Sequence, residues 1–259
     1  MTTTDVRAAE PGTLTVYGRA AAAEWLRLRT VRSTWWCLLA ATVTIVGIGV
    51  VMAFDAENVT ATGELPPATA AGEFGVLLGQ FALLVLVLLA VTQEYASGAI
   101  GPTLQWTPRR GVLMAARVAV PVLAATVAGV LLAFVADIAA WLIADLPLAG
   151  ADVADSLGRI AAVLVAGGVL AVGVGLFLRS TAGALATVFL LQLVLPFLLP
   201  AFGVEWMADL GELLPGSGAI WTLLGEPEMS AAQATSLLVG WSAAGLGLGG
   251  WALLRRDAG

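Results

Sequence analysis

The run FGVLLGQFALLVLVLLAVT at residues 74–92 carries no charged side chain, and Gln80 is the one strongly polar group in its interior. At ~1.5 Å of helix rise per residue such a run crosses about 30 Å of hydrocarbon. A helix apolar on every side has no place on the surface of a small soluble domain, whereas a bilayer receives it on all outward faces. The run is therefore read as a transmembrane helix. Working outward, comparable runs occupy residues 35–54, about 112–143, 160–177, 182–202 and 235–254. The expected fold is an all-α membrane protein, a single transmembrane domain over residues 1–259 with six spans.

The composition agrees. Hydrophobic residues make up 59% of the chain and charged residues 12%, about half the share of a soluble domain, so too little polar surface exists to cover a water-soluble particle. All 12 basic residues are Arg, and His is also 0. Without Lys a Walker A phosphate loop or a Lys Schiff base is excluded. Without His, Ser-His and Cys-His nucleophile pairs and H-E-x-x-H zinc sites are excluded too, even though Gly216-Ser217-Gly218 superficially suggests a serine motif. No catalytic residue, metal site or bound cofactor is expected on this chain. The single Cys37 can form no intrachain disulfide and reads as a small packing residue.

Arg in short loops stays on the cytoplasmic side, and this sets the expected orientation. Arg7, Arg19, Arg27, Arg29 and Arg32 precede span one; Arg109, Arg110 and Arg117 fall between spans two and three. Arg179 falls between spans four and five, and Arg255 and Arg256 follow span six. Only Arg159 falls on the other side. The expected location is thus the plasma membrane, multi-pass, with both termini cytoplasmic and no cleaved leader. The third span is too long for one crossing, so its end with Arg109, Arg110 and Arg117 is expected to project into water, with a kink at Pro121. Acids such as Asp55, Glu73, Asp145, Asp155, Asp209 and Glu212 lie in the outer segments, so the net charge of −6 is an outward acidic surface, which excludes nucleic acid as a partner.

Residues 14–32 intersperse Ala, Leu and Val with Glu24, Trp25, Arg27, Arg29 and Arg32, the pattern of an amphipathic helix lying on the inner leaflet of the lipid bilayer. Residues 203–230, following Pro196 and Pro200, mix acids with Trp206, Trp221 and short Leu pairs. They are too broken to span and read as short re-entrant or interfacial helices on the outer face between spans five and six. Gln80 and Gln192 each stand alone among apolar residues, and either line a pathway or hydrogen-bond between helices. Phe81 and Phe189 beside them supply aromatic surface. Asp137 is read as a snorkelling or locally paired residue near the outer end of span three. Gly167, Ala171 and Gly175 in span four, and Gly245 and Gly249 in span six, repeat at the spacing of close helix contacts.

Three stretches carry a family resemblance. EWLRLRTVRSTWW at 24–36, EYASGAI at 94–100 followed by TPRRG at 107–111, and LLRRDA at 253–258 resemble segments of actinobacterial type-2 ABC exporter permeases. The middle one is the most specific, although Gly101-Pro102 stands here where an Arg-Thr-like pair is expected. The resemblance implies a permease subunit of an ATP-driven exporter working by alternating access, and leaves open whether it moves a drug or other natural product, an antibiotic peptide, a lipid or an ion. It implies a second permease chain, identical or homologous, and two ABC ATPase subunits that carry the ATP and Mg. It further implies that residues 95–108 dock the ATPase, with Glu94, Tyr95, Ile100, Leu104, Trp106, Arg109 and Arg110 as the contact set and Glu94 pairing with Arg27 or Arg29. Spans two and five would face the pathway, placing Gln80, Phe81, Phe189 and Gln192 along it. The rival reading is a secondary transporter or channel subunit without an ATPase partner; it calls for ionisable residues near the bilayer midplane, and only Asp137 comes close.

Overall fold

The computed structural model describes residues 12–59, 66–96, 110–225 and 229–255. Every regular element among them is helical: α1 (Thr13–Thr30), α2 (Arg32–Val59), α3 (Thr69–Ala96), α4 (Arg110–Ala144) and α5 (Gly150–Leu178). Then follow α6 (Thr181–Phe189), a π turn (Leu190–Val194), α7 (Leu195–Ala201), α8 (Glu205–Glu212), α9 (Pro215–Leu224) and α10 (Ala231–Arg255). Six stretches are long and apolar enough to cross a membrane: Arg32–Asp55, Thr69–Glu94, Gly111–Ala144, Gly150–Leu178, Thr181–Ala201 and Ala231–Leu253. The chain is a multi-pass membrane protein.

The helix α3 is central, packing on α2, α4 and α5, while α5 also carries α10 on its far side. Its apolar run supplies the core residues Leu83, Val87, Leu88 and Val91, which meet Ile160, Val163 and Leu176 of α5. In lipid no hydrophobic driving force brings helices together, so close backbone approach must do so. The α5–α10 contact shows how: a Cβ on Gly249 would stand 2.6 Å from the Gly173 carbonyl oxygen, and one on Gly173 would strike the backbone of Gly245. The small-residue spacing of span four is thus divided among partners. Gly173 serves α10, whereas Gly167 lies against Gln192 and Gly175 against Leu88 and Thr92 of α3.

Two elements begin earlier than their apolar runs. α3 starts at Thr69 and α5 at Gly150, so Glu73 and Arg159 lie inside helices rather than in outer loops. α4 continues as one helix through Pro121. In the fifth span Pro196 has no N–H for the carbonyl of Gln192 and its ring crowds that oxygen; the turn before it widens, with the Leu195 N–H bonding to the Leu190 oxygen five residues back.

Candidate functional site

The base of the bundle is where three helices exchange charges. α1 breaks at Val31, whose N–H closes on the Arg27 oxygen, and α2 departs from Arg32, so α1 is folded back across the start of α4. Of its side chains only Glu24 and Leu28 are buried. Glu24 and Arg27, one turn apart, point at Glu94 on the last turns of α3 and at Arg117 on α4. Arg27 Nη1 donates to Glu94 Oε1 at 2.6 Å, Arg27 Nη2 lies 2.5 Å from Glu24 Oε2, and the same group donates to the Ala90 carbonyl. Arg117 Nη2 donates to Glu94 Oε2, and its Nε lies 3.3 Å from Glu24 Oε1. Two carboxylates and two guanidiniums therefore alternate, with no net charge.

This corrects the expectation for Arg117. It does not project into water: it is 0% exposed, the largest fully buried side chain described. The reason is tertiary, since α1 covers the first turns of α4 and supplies the second carboxylate that a buried guanidinium needs. Burial pushes the Glu24 carboxyl above its ordinary range, with Arg27 and Arg117 pulling the other way. Of the two Arg residues named as partners for Glu94, the structure pairs Arg27; Arg29, Arg32 and Trp25 are exposed. The base gathers further helices through hydroxyls, Gln93 Nε2 donating to Ser33 Oγ of α2 at 3.3 Å and Thr181 Oγ1 of α6 to Thr92 Oγ1 at 2.9 Å.

Of the expected docking set, Glu94 is the one whose side chain is described. Tyr95 lies in the final turn of α3 and Arg110 opens α4, but their side chains, like Ile100, Leu104, Trp106 and Arg109, lie outside the described residues. The chain leaves α3 just after Glu94 and returns at Arg110, two helical turns before Arg117, so both ends of the 97–109 segment root in the charged base.

Compared with known protein families and with curated proteins, the sequence matches none.

Midway up the bundle, Phe81 of α3 and Phe189 of α6 meet edge to face, with ring centroids 5.4 Å apart and planes at 72°. They line an apolar cavity of about 340 Å³ with Leu84, Leu88, Leu185 and Val188. Gln80 and Gln192 are not among its described lining residues and are buried, 2% and 4% exposed. Gln80 Nε2 donates to the Leu77 carbonyl of its own helix at 3.1 Å. Gln192 packs against Gly167 of α5 and, through its backbone oxygen, against Gly216 at the start of α9, where any Cβ would collide. The Gly216-Ser217-Gly218 run is thereby explained as packing, with Ser217 Oγ donating to the Gly211 carbonyl at 2.7 Å.

At the head of the bundle lies a second polar cluster. Arg159 Nη2 of α5 donates to Glu73 Oε1 of α3 at 2.6 Å, and Nε lies 3.1 Å from Asp155. Nη1 reaches the Thr222 and Leu223 carbonyls at 3.4 and 3.3 Å, in the last turn of α9, where a helix does not supply donors to its own carbonyls. Glu73 is 8% exposed, so it belongs to this pair and not to an outer acidic surface. Asp137, 0% exposed, accepts from the Gly72 N–H at 2.8 Å, near the positive end of α3. Sequence reasoning marked neither Glu73 nor Arg159 as a pair. The available signal was that Arg159 is the one Arg on the acidic side of the chain.

Proposed function

We propose that the chain is the membrane-spanning permease subunit of an ATP-driven ABC exporter, with ATP and Mg held by two ATPase subunits and a second permease chain completing the pathway. The observation that carries this reading is the base. A segment bearing the family-like Glu94 to Ile100 and Pro108 to Gly111 sequence is rooted at both ends in a neutral quartet, with Glu24 and Arg117 buried and Arg27 and Glu94 half-buried, that joins α1, α3 and α4. Force applied to that segment would be delivered to three helices at once, because removing a buried guanidinium's partners is far costlier than moving the helices together. In this reading α1 lies in the inner leaflet with Trp25, Arg29 and Arg32 at the headgroups, the termini are cytoplasmic, and α8 and α9 form the outer re-entrant cap. Phe81 and Phe189 border the route, with Gln80 and Gln192 buried nearby. The rival secondary transporter is not favoured by Asp137 and Glu73, since both are engaged near the head by Gly72 and Arg159.

The test is reconstitution with the cognate ATPase. The purified chain alone should hydrolyse no ATP, Trp106→Ala should weaken the complex, and Glu94→Ala should leave it assembled with slowed transport. Wild-type assembly and transport in both variants, or hydrolysis by the pure chain, would overturn the reading.

A further inference from the structure

The two polar clusters differ in their balance of charge. At the base two carboxylates meet two guanidiniums, whereas the head sets the buried Glu73 and Asp137 against Arg159 alone. Arg159 is already divided among Glu73, Asp155 and two carbonyls of α9. The other described basic side chains lie on α1, at the start of α2 or α4, or at the base ends of α5 and α10, and the chain has no Lys or His.

Asp137 is the one aspartate among the described residues that is not exposed. Its surroundings offer a single donor: Oδ1 takes the Gly72 N–H at 2.8 Å, while Oδ2, equally buried, has no hydrogen-bond partner among the described residues. Each helix packed at this level adds a like charge or one already spent. From α3 comes Glu73, the residue after Gly72; from α5 come Arg159, bound to Glu73, and the exposed Asp155. From α2, which meets Ala136 through Gly49, comes Asp55, exposed near the end of that helix.

An ionised Asp137 would therefore be an unbalanced buried charge, and one N–H at a helix start does not replace the hydration it has lost. A metal ion does not fit: among the described residues no three acidic, Cys or His side chains come together as ligands. The space beside the carboxyl is also taken, since a Cβ on Gly72 would stand 2.6 Å from Oδ1 and 2.9 Å from the Ala133 carbonyl oxygen. A proton needs no such space. It removes the charge and turns Oδ2 into a donor, with the Ala133 carbonyl an acceptor one turn back on α4.

We propose that Asp137 is a proton-binding site, neutral at neutral pH while α3 and α4 are packed together, and that opening of the head releases the proton. On opening, the Oδ2–H bond breaks, the proton passes to water and the carboxylate left behind is hydrated. Acid thus holds the head closed. The site is complete within one chain and does not rest on the exporter reading.

The experiment is infrared spectroscopy of the purified full-length chain in detergent at neutral pH. A carboxylic acid shows a carbonyl stretch that a carboxylate lacks, and exposed acids are ionised there. The expected result is such a band in the wild type, lost in Asp137→Asn and kept in Glu24→Gln. Growth on aspartate carrying carbon-13 in its side-chain carboxyl should shift the band in the unmodified chain, which separates Asp137 from any protonated Glu even if a variant fails to fold. Stability gives a second readout. From about pH 5 to about pH 7 the unfolding constant of the wild type should rise by about a factor of ten more per pH unit than that of Asp137→Asn, the effect of one proton released per chain. No band at neutral pH, a band untouched by Asp137→Asn or by the label, or parallel stability profiles would overturn the proposal. Loss of the band when sodium chloride replaces choline chloride would overturn it too, by giving the site to a cation.

Discussion

The two ends of α3 solve the same problem in different ways. Glu94 at the base and Glu73 at the head lie about 30 Å apart at ~1.5 Å per residue, one hydrocarbon thickness, and each takes an Arg from a neighbouring helix. At the base Arg117 is 0% exposed and shares two carboxylates with Arg27, so four charges of alternating sign close on themselves. At the head the Arg159 side chain keeps 35% of its surface in contact with the surroundings, and its guanidinium is divided among Glu73, Asp155 and two carbonyls of α9. A closed quartet has nothing to replace its partners if the helices separate. A half-open pair can exchange its partners for water. The base is thus built to keep α1, α3 and α4 together, and the head to let α9 come away at lower cost.

The largest effect is expected from Arg117→Ala. It leaves Glu24 and Glu94 to share Arg27 alone, with one negative charge uncompensated in a largely buried site, and should lower stability by roughly 3–5 kcal/mol, read as thermal unfolding in detergent. A loss no greater than that of Arg159→Ala would erase the distinction between the two ends. Arg159→Ala itself should cost about 1–2 kcal/mol, because water screens the pair it breaks. Its signature is local: hydrogen exchange should quicken in Pro215–Leu224 and leave Thr13–Thr30 unchanged. Exchange that rises throughout the chain would mean the head is as integral as the base. Asp137→Ala removes one acceptor from the start of α3 and should cost about 1 kcal/mol, with Asp137→Asn restoring most of it because one carboxyl-type oxygen still faces Gly72. If Asn restores nothing, the charge at the helix end matters and the hydrogen bond does not.

The smallest effect concerns pH. Glu24 has a folded pKa above its ordinary 4.5, so the folded state binds its proton more tightly than the unfolded one. The stability from this group is complete below about pH 4.5 and is lost as the pH rises through the raised folded value. Unfolding temperature measured from pH 4 upward should therefore fall over that window in the wild type, and the fall should shrink in Glu24→Gln. An identical slope in both proteins would assign the effect to another group.

How much was legible beforehand follows the same division. Gln80, Phe81 and Phe189 were picked out as residues of interest from one helix at a time, and the two Phe rings do meet. Both amides, by contrast, are buried within the bundle, Gln192 because α5 and α9 approach it through Gly167 and Gly216, and glycine spacing alone does not say which helix will come close. The same limit hid Arg117. Along the sequence it is one more Arg after Arg109 and Arg110, and nothing local distinguishes a guanidinium in water from one roofed by a helix almost a hundred residues earlier.

The sequence by itself determined that the chain crosses a membrane and how many times, because length and hydropathy of a helix are sums over neighbouring residues and lipid leaves the backbone no alternative to internal hydrogen bonding. It also determined that the chemistry of Lys and His is absent. Only the tertiary structure decided which charges are paired and which amides are buried. Those outcomes depend on contacts between helices distant along the chain, where a few ångströms of approach decide whether a charged group is solvated or paired.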